Sequence, residues 1–481
     1  MGFKKNNINK ASPLVPNLIG LVALCLIFLF GLVLIKNIEF FNLMVDTDNS
    51  LNPNTQENSQ DIISTGKNET NNTANIIEEK LKAENKINIL VVGRGGGSHD
   101  APNLTDTIIL ASINTKIKTI SMLSIPRDFY VNYPGKDKDG KINGLYAKYK
   151  FESSSAKTGM EILKKKVSEI TGEEIDYFIN VDFNGFIDII DTIGGIEIEI
   201  PTHFIDNEYP DGNWGYKTLV FKKGTWIFDG DNALKYARSR HSTSDFDRSM
   251  RQQQVIKAIK DKLSGSYFLT SPLKVKELYD VFVNRVYTDL KLSTIIKLAY
   301  QLNSTTDFKV ISSNLNDSCF YGSSNCKTGG FLYTPSRDFF GGMSVLLAEG
   351  TNISTLSNYE ILHKYTNIVF NYPKIFEKDY KINIFNSLKI NHLAGELSNN
   401  IVRYGFNIPL KNSIGNTSTL YPKSVIYFNN IDSNSPVINA LKNFYDGEFI
   451  QIYSPKYSKD NANIEIIIGE DYLGDNNKFK F

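Results

Sequence analysis

Arginine and aspartate side chains in three short segments could bind phosphate groups. The segments are residues 103–107 (NLTDT), 124–128 (SIPRD) and 236–253 (from YARSRH to RQQ). In the third segment Arg238 and Arg240 lie two residues apart beyond a predicted helix, so an extended backbone directs both side chains the same way. Arg248, Arg251 and Gln252 have the i, i+3, i+4 spacing of one helix face.

The arginine cluster favours an anionic ligand. Guanidinium groups bind phosphate oxygens through paired hydrogen bonds. Four arginines so close together repel one another unless an anion or nearby carboxylates balance their charge. The alternative is a solvated basic helix face paired with Asp245 and Asp247. Both interpretations stay open at this point, and a phosphate site is the favoured one.

Asp106 and Arg127 lie at the ends of predicted strands, where the sites of open α/β sheets usually form. A carboxylate beside several arginines stays ionised and can hold a hard cation such as Mg²⁺. Asp100 or Asp247 could supply a second oxygen ligand. Such a set resembles a pyrophosphate site, in which a metal bridges the phosphates and arginines neutralise charge. Asp128 is interpreted as structural, either a helix cap or an ion-pair partner.

The glycine-rich loop, the histidines and the net charge give weaker indications of function. The glycine-rich loop 93–97 lacks the Lys-Ser/Thr ending of a P-loop, so a phosphate contact and a plain flexible turn are equally predicted. His99 and His241 have no third ligand at fixed spacing, so no zinc centre is predicted. The 53 basic and 52 acidic residues give a net charge of +1, which argues against a generally basic nucleic-acid-binding protein.

Hydrophobic periodicity predicts the elements that position these residues. Buried strands are predicted at 87–92, 107–113, 119–125, 177–181 and 196–200, and helices at 156–171, 183–193, 231–238 and 245–263. Strands that alternate with helices predict an α/β sheet covered on both faces. Residues 308–379 have no clear pattern. A smaller α/β unit follows, with strands at 382–385, 424–428 and 463–468 and a helix at 393–404.

The N-terminal region has the features of a single-pass membrane anchor. Three lysines within the first ten residues precede a stretch, 11–35, without any charged residue, and this stretch can cross a hydrocarbon core of ~30 Å as a helix. The lysines place the N-terminus in the cytoplasm and the bulk of the chain outside the cell membrane. A cleaved signal peptide is the competing interpretation, and residues 37–48 offer no small-x-small cleavage site for it.

Composition and pattern together divide the chain into six predicted regions. They are a cytoplasmic tail (1–17), a transmembrane helix (18–36), a flexible linker (37–85), the main α/β domain (86–355), a second linker (356–379) and a C-terminal domain (380–473). The first linker is polar and has few large apolar residues, so it cannot offset its ordering entropy by burial. Cys319 and Cys326 lie close together in a polar loop outside the membrane, where a disulfide is predicted.

The sequence resembles the LytR-CpsA-Psr family of cell-wall glycopolymer transferases over about residues 86–352. The resemblance rests on a series of segments: LTDT (104–107), SIPRD (124–128), KIN (141–143), DTIGG (191–195), YARSR (236–240), DR (247–248) and RQ (251–252). Each segment is weak by itself, whereas the series in this order is specific. Residues 380–473 resemble the LytR C-terminal domain that is often appended to this family.

The resemblance implies an α/β fold with a mixed central sheet covered by helices on both faces. It also implies a phosphotransferase with a bound Mg²⁺ as its cofactor. Its substrate would be a polyprenyl pyrophosphate-linked glycan held in a hydrophobic tunnel, and its acceptor would be a peptidoglycan hydroxyl group. The protein would act at the membrane, and nucleic acid is not expected as a partner. Asp106 would be a metal-site carboxylate. The implied pyrophosphate ligands are Arg127, Arg238, Arg240 and Arg248, with support from Gln252.

The sequence departs from the family pattern at two positions. Leu104 stands where the family usually has an arginine, and Arg94 with a glycine run stands where it usually has an aspartate. In this interpretation Asp100 replaces the missing carboxylate and Arg94 supplies the missing positive charge. Two other functions stay open: hydrolysis of the lipid pyrophosphate, and non-catalytic binding of lipid or wall glycan.

Overall fold

The computed structural model describes most of the chain between residues 86 and 480. The described residues are 86–97, 101–135, 139–210, 215–239, 251, 254–255, 257–259, 261–262, 272–291, 294–295, 298, 309–319, 326–409, 413–458, 462–474 and 478–480. The regions predicted at 1–17, 18–36 and 37–85 therefore lie outside this part of the chain. Among the helices within it, none has the length and apolar character of a membrane span.

Nineteen strands can be numbered in the described part of the chain. They are β1 Lys86–Arg94, β2 Thr105–Asn114, β3 Thr119–Ser124, β4 Tyr130–Val131, β5 Gly140–Lys141, β6 Tyr177–Asp182, β7 Ile196–Ile200, β8 Phe204–Pro210, β9 Tyr216–Phe221, β10 Gly224–Phe228, β11 Val286–Thr288, β12 Lys309–Asn314, β13 Leu332–Tyr333, β14 Leu347–Ala348, β15 Ile382–Asn386, β16 Ile414–Asn416, β17 Val425–Phe428, β18 Glu448–Gln451 and β19 Ile464–Ile468.

The helices with defined bounds lie between and after these strands. They are α1 Ile142–Ser153, α2 Ala156–Thr171, α3 Phe183–Thr192, α4 Gly230–Arg238, α5 Pro272–Arg285, α6 Glu360–Asn371, α7 Leu393–Arg403 and α8 Pro436–Leu441. The described residues between 251 and 262 are also helical. In the described part of the chain, helices separate groups of strands, of which β1–β5 and β7–β10 are consecutive.

The described part of the chain forms two units, and the first combines the described residues of 86–120 with those of 175–312. In this unit the strand order β11-β6-β1-β2 places β1 between a parallel neighbour, β6, and an antiparallel one, β2. The predicted mixed central sheet is therefore confirmed. The side chains of Ile89 and Leu90 point to opposite faces of β1, and both are fully buried, so apolar groups cover both faces.

Helix α3 starts directly at the end of β6. The Asp182 carboxylate accepts a hydrogen bond from the Gly185 N–H at 2.8 Å and so caps the first turn. The buried side chains of Phe186 and Ile190 lie on its inner face, and the helix packs against α4 and α5. This arrangement places the start of α3 and the end of α4 at the same sheet edge.

The second unit combines Ser121–Glu174 with Ser313–Phe481. It contains α1, α2 and α6 and a five-stranded sheet with the order β16-β15-β19-β17-β18. In that sheet β15 pairs in parallel with β16 and β19, whereas β17 pairs antiparallel with β19. The strands predicted at 382–385, 424–428 and 463–468 and the helix predicted at 393–404 are present in this unit, whereas a separate C-terminal domain stays a prediction. The predicted domain limits at 355 and 380 stay predictions.

Several parts of the structure were not predicted, among them the helices α1 and α8. The strands β8 to β10, residues 204–228, form antiparallel pairs that the sequence analysis leaves without elements. Residues 308–379 contain β12 and helix α6, so the prediction of an irregular segment there was wrong. Tyr365 and Ile368 of α6 are fully buried. Aromatic and branched residues lower helix propensity. Local pattern therefore did not predict this helix, which tertiary packing stabilises.

Candidate functional site

Arg94 ends β1 and is held by two side chains of the neighbouring strand β6. Its guanidinium lies 3.1 Å from an Asp182 carboxylate oxygen and donates a second hydrogen bond of 3.1 Å to the Asn180 side-chain oxygen. The parallel register aligns Arg94 with Asp182, which explains the contact between residues so far apart in sequence. Asp182 therefore has two roles: it caps α3 and fixes Arg94 at the sheet edge.

Asp106 lies at a β-bulge at the start of β2. The register pairs Gly93 with Thr107 and Arg94 with Thr105, so Asp106 has no partner position in the ladder. A bulge of this kind redirects the side chain of the extra residue and commonly occurs next to functional sites. Asp106 is half-buried, between the buried Thr105 and Thr107. The bulge places the carboxylate at the sheet edge where Arg94 ends its strand.

Arg238 ends helix α4 and packs on aromatic rings. Its guanidinium carbon lies 4.2 Å from the centre of the Phe183 ring and 5.7 Å from that of Tyr209. One guanidinium nitrogen also lies 3.5 Å from the Tyr209 hydroxyl. Burial raises the pKa of Tyr209, so its hydroxyl stays protonated. Because Phe183 follows Asp182 directly, the Arg238 cation lies at the same edge as Arg94 and Asp106.

Arg251 is buried and holds the backbone next to Arg238. Its guanidinium donates hydrogen bonds to the carbonyl oxygens of Tyr236, at 3.1 Å, and Ser239. The guanidinium also lies 4.8 Å from the centre of the Phe204 ring. Burial raises the pKa of Tyr236 to about 12, and the charge of Arg251 acts in the opposite direction. The sequence analysis placed Arg251 on a helix face but not in the site.

A buried carboxylate fixes the same backbone segment from the other side. The Ser239 hydroxyl hydrogen-bonds to Asp206, which is fully buried on β8. Asp206 also accepts a hydrogen bond from the Glu208 N–H at 3.1 Å. Sequence reasoning missed Asp206 and Ser239. Asp206 stands between Ile205 and the polar Asn207, so the local sequence gives no signal that this carboxylate is buried.

Arg127 belongs to the second unit and is exposed. Its Nε atom lies 3.5 Å from Asp128, and the Asp128 carboxylate accepts a hydrogen bond of 2.5 Å from the Lys141 ammonium group. The Arg127 carbonyl oxygen accepts from the Asn143 N–H at 3.4 Å. The segments SIPRD and KIN are thus joined within this unit. The ion pair with Lys141 agrees with the structural role predicted for Asp128.

Five of the predicted site residues lie outside the described part of the chain. They are Asp100, Arg240, Asp247, Arg248 and Gln252. Of the predicted residues that are described, Arg94, Asp106 and Arg238 lie at one edge of the first unit, and Arg127 lies in the second. Cys319 and Cys326 form a disulfide with a Cα–Cα distance of 4.4 Å.

The Asp106 carboxylate suits a Mg²⁺ ion that takes its other ligands from water and substrate. Among the described residues no group of three or more His, Cys, Asp or Glu side chains could hold a metal ion together. Mg²⁺ keeps several water ligands and usually takes one or two protein carboxylates together with substrate phosphate oxygens. A half-buried carboxylate at a bulge beside cationic side chains fits such a site. Zinc would require nitrogen or sulfur donors instead.

Comparison with known proteins identifies relatives for the larger part of the chain. The model of the LytR_cpsA_psr family matches residues 45–335. The protein named polyisoprenyl-teichoic acid–peptidoglycan teichoic acid transferase TagV, from Bacillus subtilis strain 168, is 28% identical over 271 residues, which cover 56% of this chain and 65% of TagV. The TagT transferase of the same organism is 32% identical over 198 residues, which cover 41% of this chain and 56% of TagT.

Solved structures include similar chains. A crystal structure of Bacillus subtilis TagV aligns with 60% of this chain and 97% of that one, at 25% identity and a TM-score of 0.40. The chain spans less than two thirds of the full length of the TagV and TagT proteins that it matches in sequence. The family model nevertheless matches more than half of the chain. By that match, and with the segments expected of it in series, the chain belongs to the LytR_cpsA_psr family.

Proposed function

We propose that this chain transfers a glycopolymer from a polyprenyl pyrophosphate carrier to a hydroxyl group of peptidoglycan. The names of the related TagV and TagT transferases support this reaction class. The observation within the chain that carries the proposal is the sheet edge where Arg94, Asp106 and Arg238 lie together. A carboxylate at the same sheet edge as two guanidinium groups suits a metal-bound, doubly charged head group.

The proposed step is a phosphoryl transfer with polyprenyl phosphate as the leaving group. The acceptor hydroxyl oxygen forms a bond to the phosphorus that carries the glycan. The bond from that phosphorus to the bridging oxygen breaks, and the electron pair stays on polyprenyl phosphate. The hydroxyl proton is released to solvent or to the leaving phosphate. Because the protein forms no covalent bond, its contribution is positioning and charge neutralisation.

The described side chains have distinct parts in this proposal. Arg238, held on Phe183, donates to the pyrophosphate oxygens, and Arg94 adds positive charge at the end of β1. Asp106 would hold Mg²⁺, and the bound ion would supply charge neutralisation at the phosphate oxygens. The roles of Arg127, Arg240, Arg248 and Gln252 as pyrophosphate ligands, and of Asp100 and Asp247 as metal ligands, belong to the same proposal.

A membrane location fits the proposed substrate. The uncharged stretch within residues 18–36 would anchor the chain with its N-terminus in the cytoplasm. In the first unit the apolar side chains of Ile205 and Val220 face the same side of the β8–β9 pair and are 38% and 50% exposed. Alkaline extraction of membranes tests the anchor, because a chain without residues 1–36 should be released whereas the full chain should stay in the pellet.

A transfer assay with the full chain in detergent tests the reaction. Polyprenyl pyrophosphate-linked glycan is supplied with Mg²⁺, with or without a peptidoglycan acceptor, and the release of polyprenyl phosphate is measured. The proposal expects release that requires the acceptor and that falls strongly in Asp106→Ala. Release without acceptor would identify a hydrolase. The absence of turnover with several donors, from a chain with normal unfolding behaviour, would favour a non-catalytic binding protein.

A further inference from the structure

One face of the C-terminal sheet is covered by loop residues. The register pairs Phe385 with Ile467 and Ile467 with Val425, so these three side chains lie on the same face. They form a buried cluster with Tyr427, and the residues packed on that cluster are Tyr421, Ile452 and Tyr457. Two of these three covering side chains are tyrosines, which combine an apolar ring with a polar hydroxyl.

The ammonium group of Lys456 lies among three tyrosine rings. Its Nζ atom is 4.7 Å from the ring centre of Tyr427, 5.4 Å from that of Tyr421 and 5.9 Å from that of Tyr457. Lys456 donates a 3.1 Å hydrogen bond to the Tyr427 hydroxyl, and the hydroxyl groups of Tyr421 and Tyr457 are 2.6 Å apart. Residues Tyr421, Tyr427, Lys456 and Tyr457 are called the tyrosine–lysine cluster below.

The backbone that carries Lys456 is held independently of its ammonium group. The buried carboxylate of Glu465 on β19 accepts hydrogen bonds from the backbone N–H groups of Lys456, Tyr457 and Ser458, at 2.6, 2.8 and 2.5 Å. A carboxylate with three backbone donors is a strong local anchor. The loop therefore keeps its position without the ammonium–tyrosine contacts. The Lys456 ammonium group and the tyrosine rings can accordingly serve to bind a ligand.

The cluster is accessible and positively charged. Lys456 is exposed and Tyr421 and Tyr457 are partly exposed, so a ligand can reach the ammonium group and both rings. Hydrogen bonds to the hydroxyls of Tyr421 and Tyr427 raise the pKa of Lys456, which keeps the charge at all ordinary pH values. Tyr453, in the same loop, is fully exposed.

We infer that the tyrosine–lysine cluster is a binding site for a phosphate-bearing sugar or polyol polymer. The ammonium group of Lys456 pairs with a phosphodiester, the ring faces pack against C–H groups, and the hydroxyl groups of Tyr421 and Tyr457 bond to polymer hydroxyls. This site is separate in sequence from the residues of the proposed transfer reaction and does not depend on that reaction. In this inference the C-terminal region binds the polymer independently of the transfer site.

Titration of a soluble, lipid-free polyol-phosphate wall polymer into the full chain in detergent tests this site. Because the probe has no pyrophosphate or prenyl group, it does not report on the proposed transfer site. Lys456→Gln should raise the Kd roughly tenfold, as expected for the loss of one charge-assisted contact. Tyr457→Phe, which keeps the ring, should raise it by a smaller factor. Added salt should weaken binding to the unaltered chain.

Matched controls decide the outcome. Lys381→Gln removes an exposed lysine at the start of the same sheet and should leave the Kd unchanged. The thermal midpoints of Lys456→Gln and Tyr457→Phe should match that of the unaltered chain, because Glu465 still holds the loop. An equal Kd for Lys456→Gln and the unaltered chain would overturn the inference. Equal binding of an uncharged polysaccharide of similar length, or of polymer-free peptidoglycan strands, would also overturn it, even where the transfer assay succeeds.

Discussion

At the residue scale, the two described arginines of the 236–252 segment have different surroundings. Arg238 is half-buried, with its guanidinium on the Phe183 and Tyr209 rings, so it keeps donors available to an anion. Arg251 is 4% exposed and uses its donors on backbone carbonyl groups. The first arginine is therefore a candidate substrate ligand, and the second is a positioning residue for the first.

Arg238→Ala should lower the transfer rate roughly hundredfold, the usual loss when one donor to developing charge is removed. The thermal midpoint should change little, because the side chain is half-exposed at the end of a helix. Arg238→Lys should recover part of the rate, since it keeps the charge but not the planar fork. The assay is acceptor-dependent release of polyprenyl phosphate.

Arg285→Ala is the matched control for that variant. Arg285 lies on α5 in the same unit, 46% exposed, and forms an ion pair with Asp188 at 2.5 Å. An exposed ion pair contributes about 0–1 kcal/mol, so both stability and transfer should be nearly unchanged. Similar rates for Arg238→Ala and Arg285→Ala would rule out a direct role for Arg238.

Arg251→Lys should reduce both stability and transfer. Lysine cannot reach the carbonyl oxygens of Tyr236 and Ser239 together, and an unpaired buried carbonyl costs about 1–3 kcal/mol. Denaturant unfolding measures the loss of stability. A positioning role further predicts a lower kcat at temperatures where the variant is fully folded. Normal kcat in the folded variant would limit Arg251 to a structural role.

At the element scale, the end of β1 combines a bulge, a glycine turn and a helix cap. The bulge redirects Asp106, the turn after Arg94 brings the chain back to β2, and Asp182 joins β6 to α3. Gly96 in the turn has φ of +66° and lies against Asp182. Asp182 pairs with Arg94, caps α3 and lies next to Gly96, so a change in the turn affects this edge.

Gly96→Ala should disturb this edge more than an ordinary glycine replacement. A Cβ atom at residue 96 would lie 2.5 Å from the Asp182 side chain, so the Arg94–Asp182 pair must move. The backbone strain costs about 1 kcal/mol, and the forced shift adds about 1–3 kcal/mol. Unfolding in denaturant measures the stability, and transfer should fall in parallel.

Gly135→Ala isolates the backbone part of that effect. Gly135 has φ of +78°, and nothing lies within 4 Å of a Cβ atom built there. Its replacement should therefore cost about 1 kcal/mol and leave transfer unchanged. If both alanine variants lose the same stability, the close approach to Asp182 has no energetic importance.

At the scale of the whole molecule, the second unit combines segments from distant parts of the sequence. Helix α6 packs on α2, where the His363 ring lies 2.8 Å from the Glu169 carbonyl oxygen. Arg403 of α7 donates to the Gly330 carbonyl at 2.7 Å and pairs with Glu349. Burial lowers the pKa of Arg403, but the group remains charged at ordinary pH. The C-terminal residues thus contribute to the packing of this unit.

Truncation after residue 355 should destabilise the chain far more than truncation after residue 379. The shorter chain loses α6 with Leu362, Tyr365 and Ile368, each fully buried, and each such side chain contributes about 1.5–3 kcal/mol. The longer chain keeps this helix and loses the contacts of Arg403. Thermal unfolding and limited proteolysis compare the two. Equal midpoints would contradict a packing role for α6.

Local pattern in the sequence determined the strands and helices with the strongest periodicity, among them the strand at 87–92 and the helix at 156–171. It also determined the arginine and aspartate segments and, through their order, the family. These features depend on neighbours within a few residues, which is why spacing and composition predict them. The prediction of α/β architecture succeeded for the same reason, whereas the mixed strand pairing was implied by the resemblance to the family.

The tertiary structure alone decided which side chains meet. The Arg94–Asp182 pair depends on a parallel register, the exposure of Asp106 on a bulge, and the burial of Arg251 on the Phe204 ring. Helix α6 forms where local pattern predicts none. Each of these depends on contacts between residues far apart in the chain. Spacing within one segment contains no information about such contacts, because packing and strand register select them.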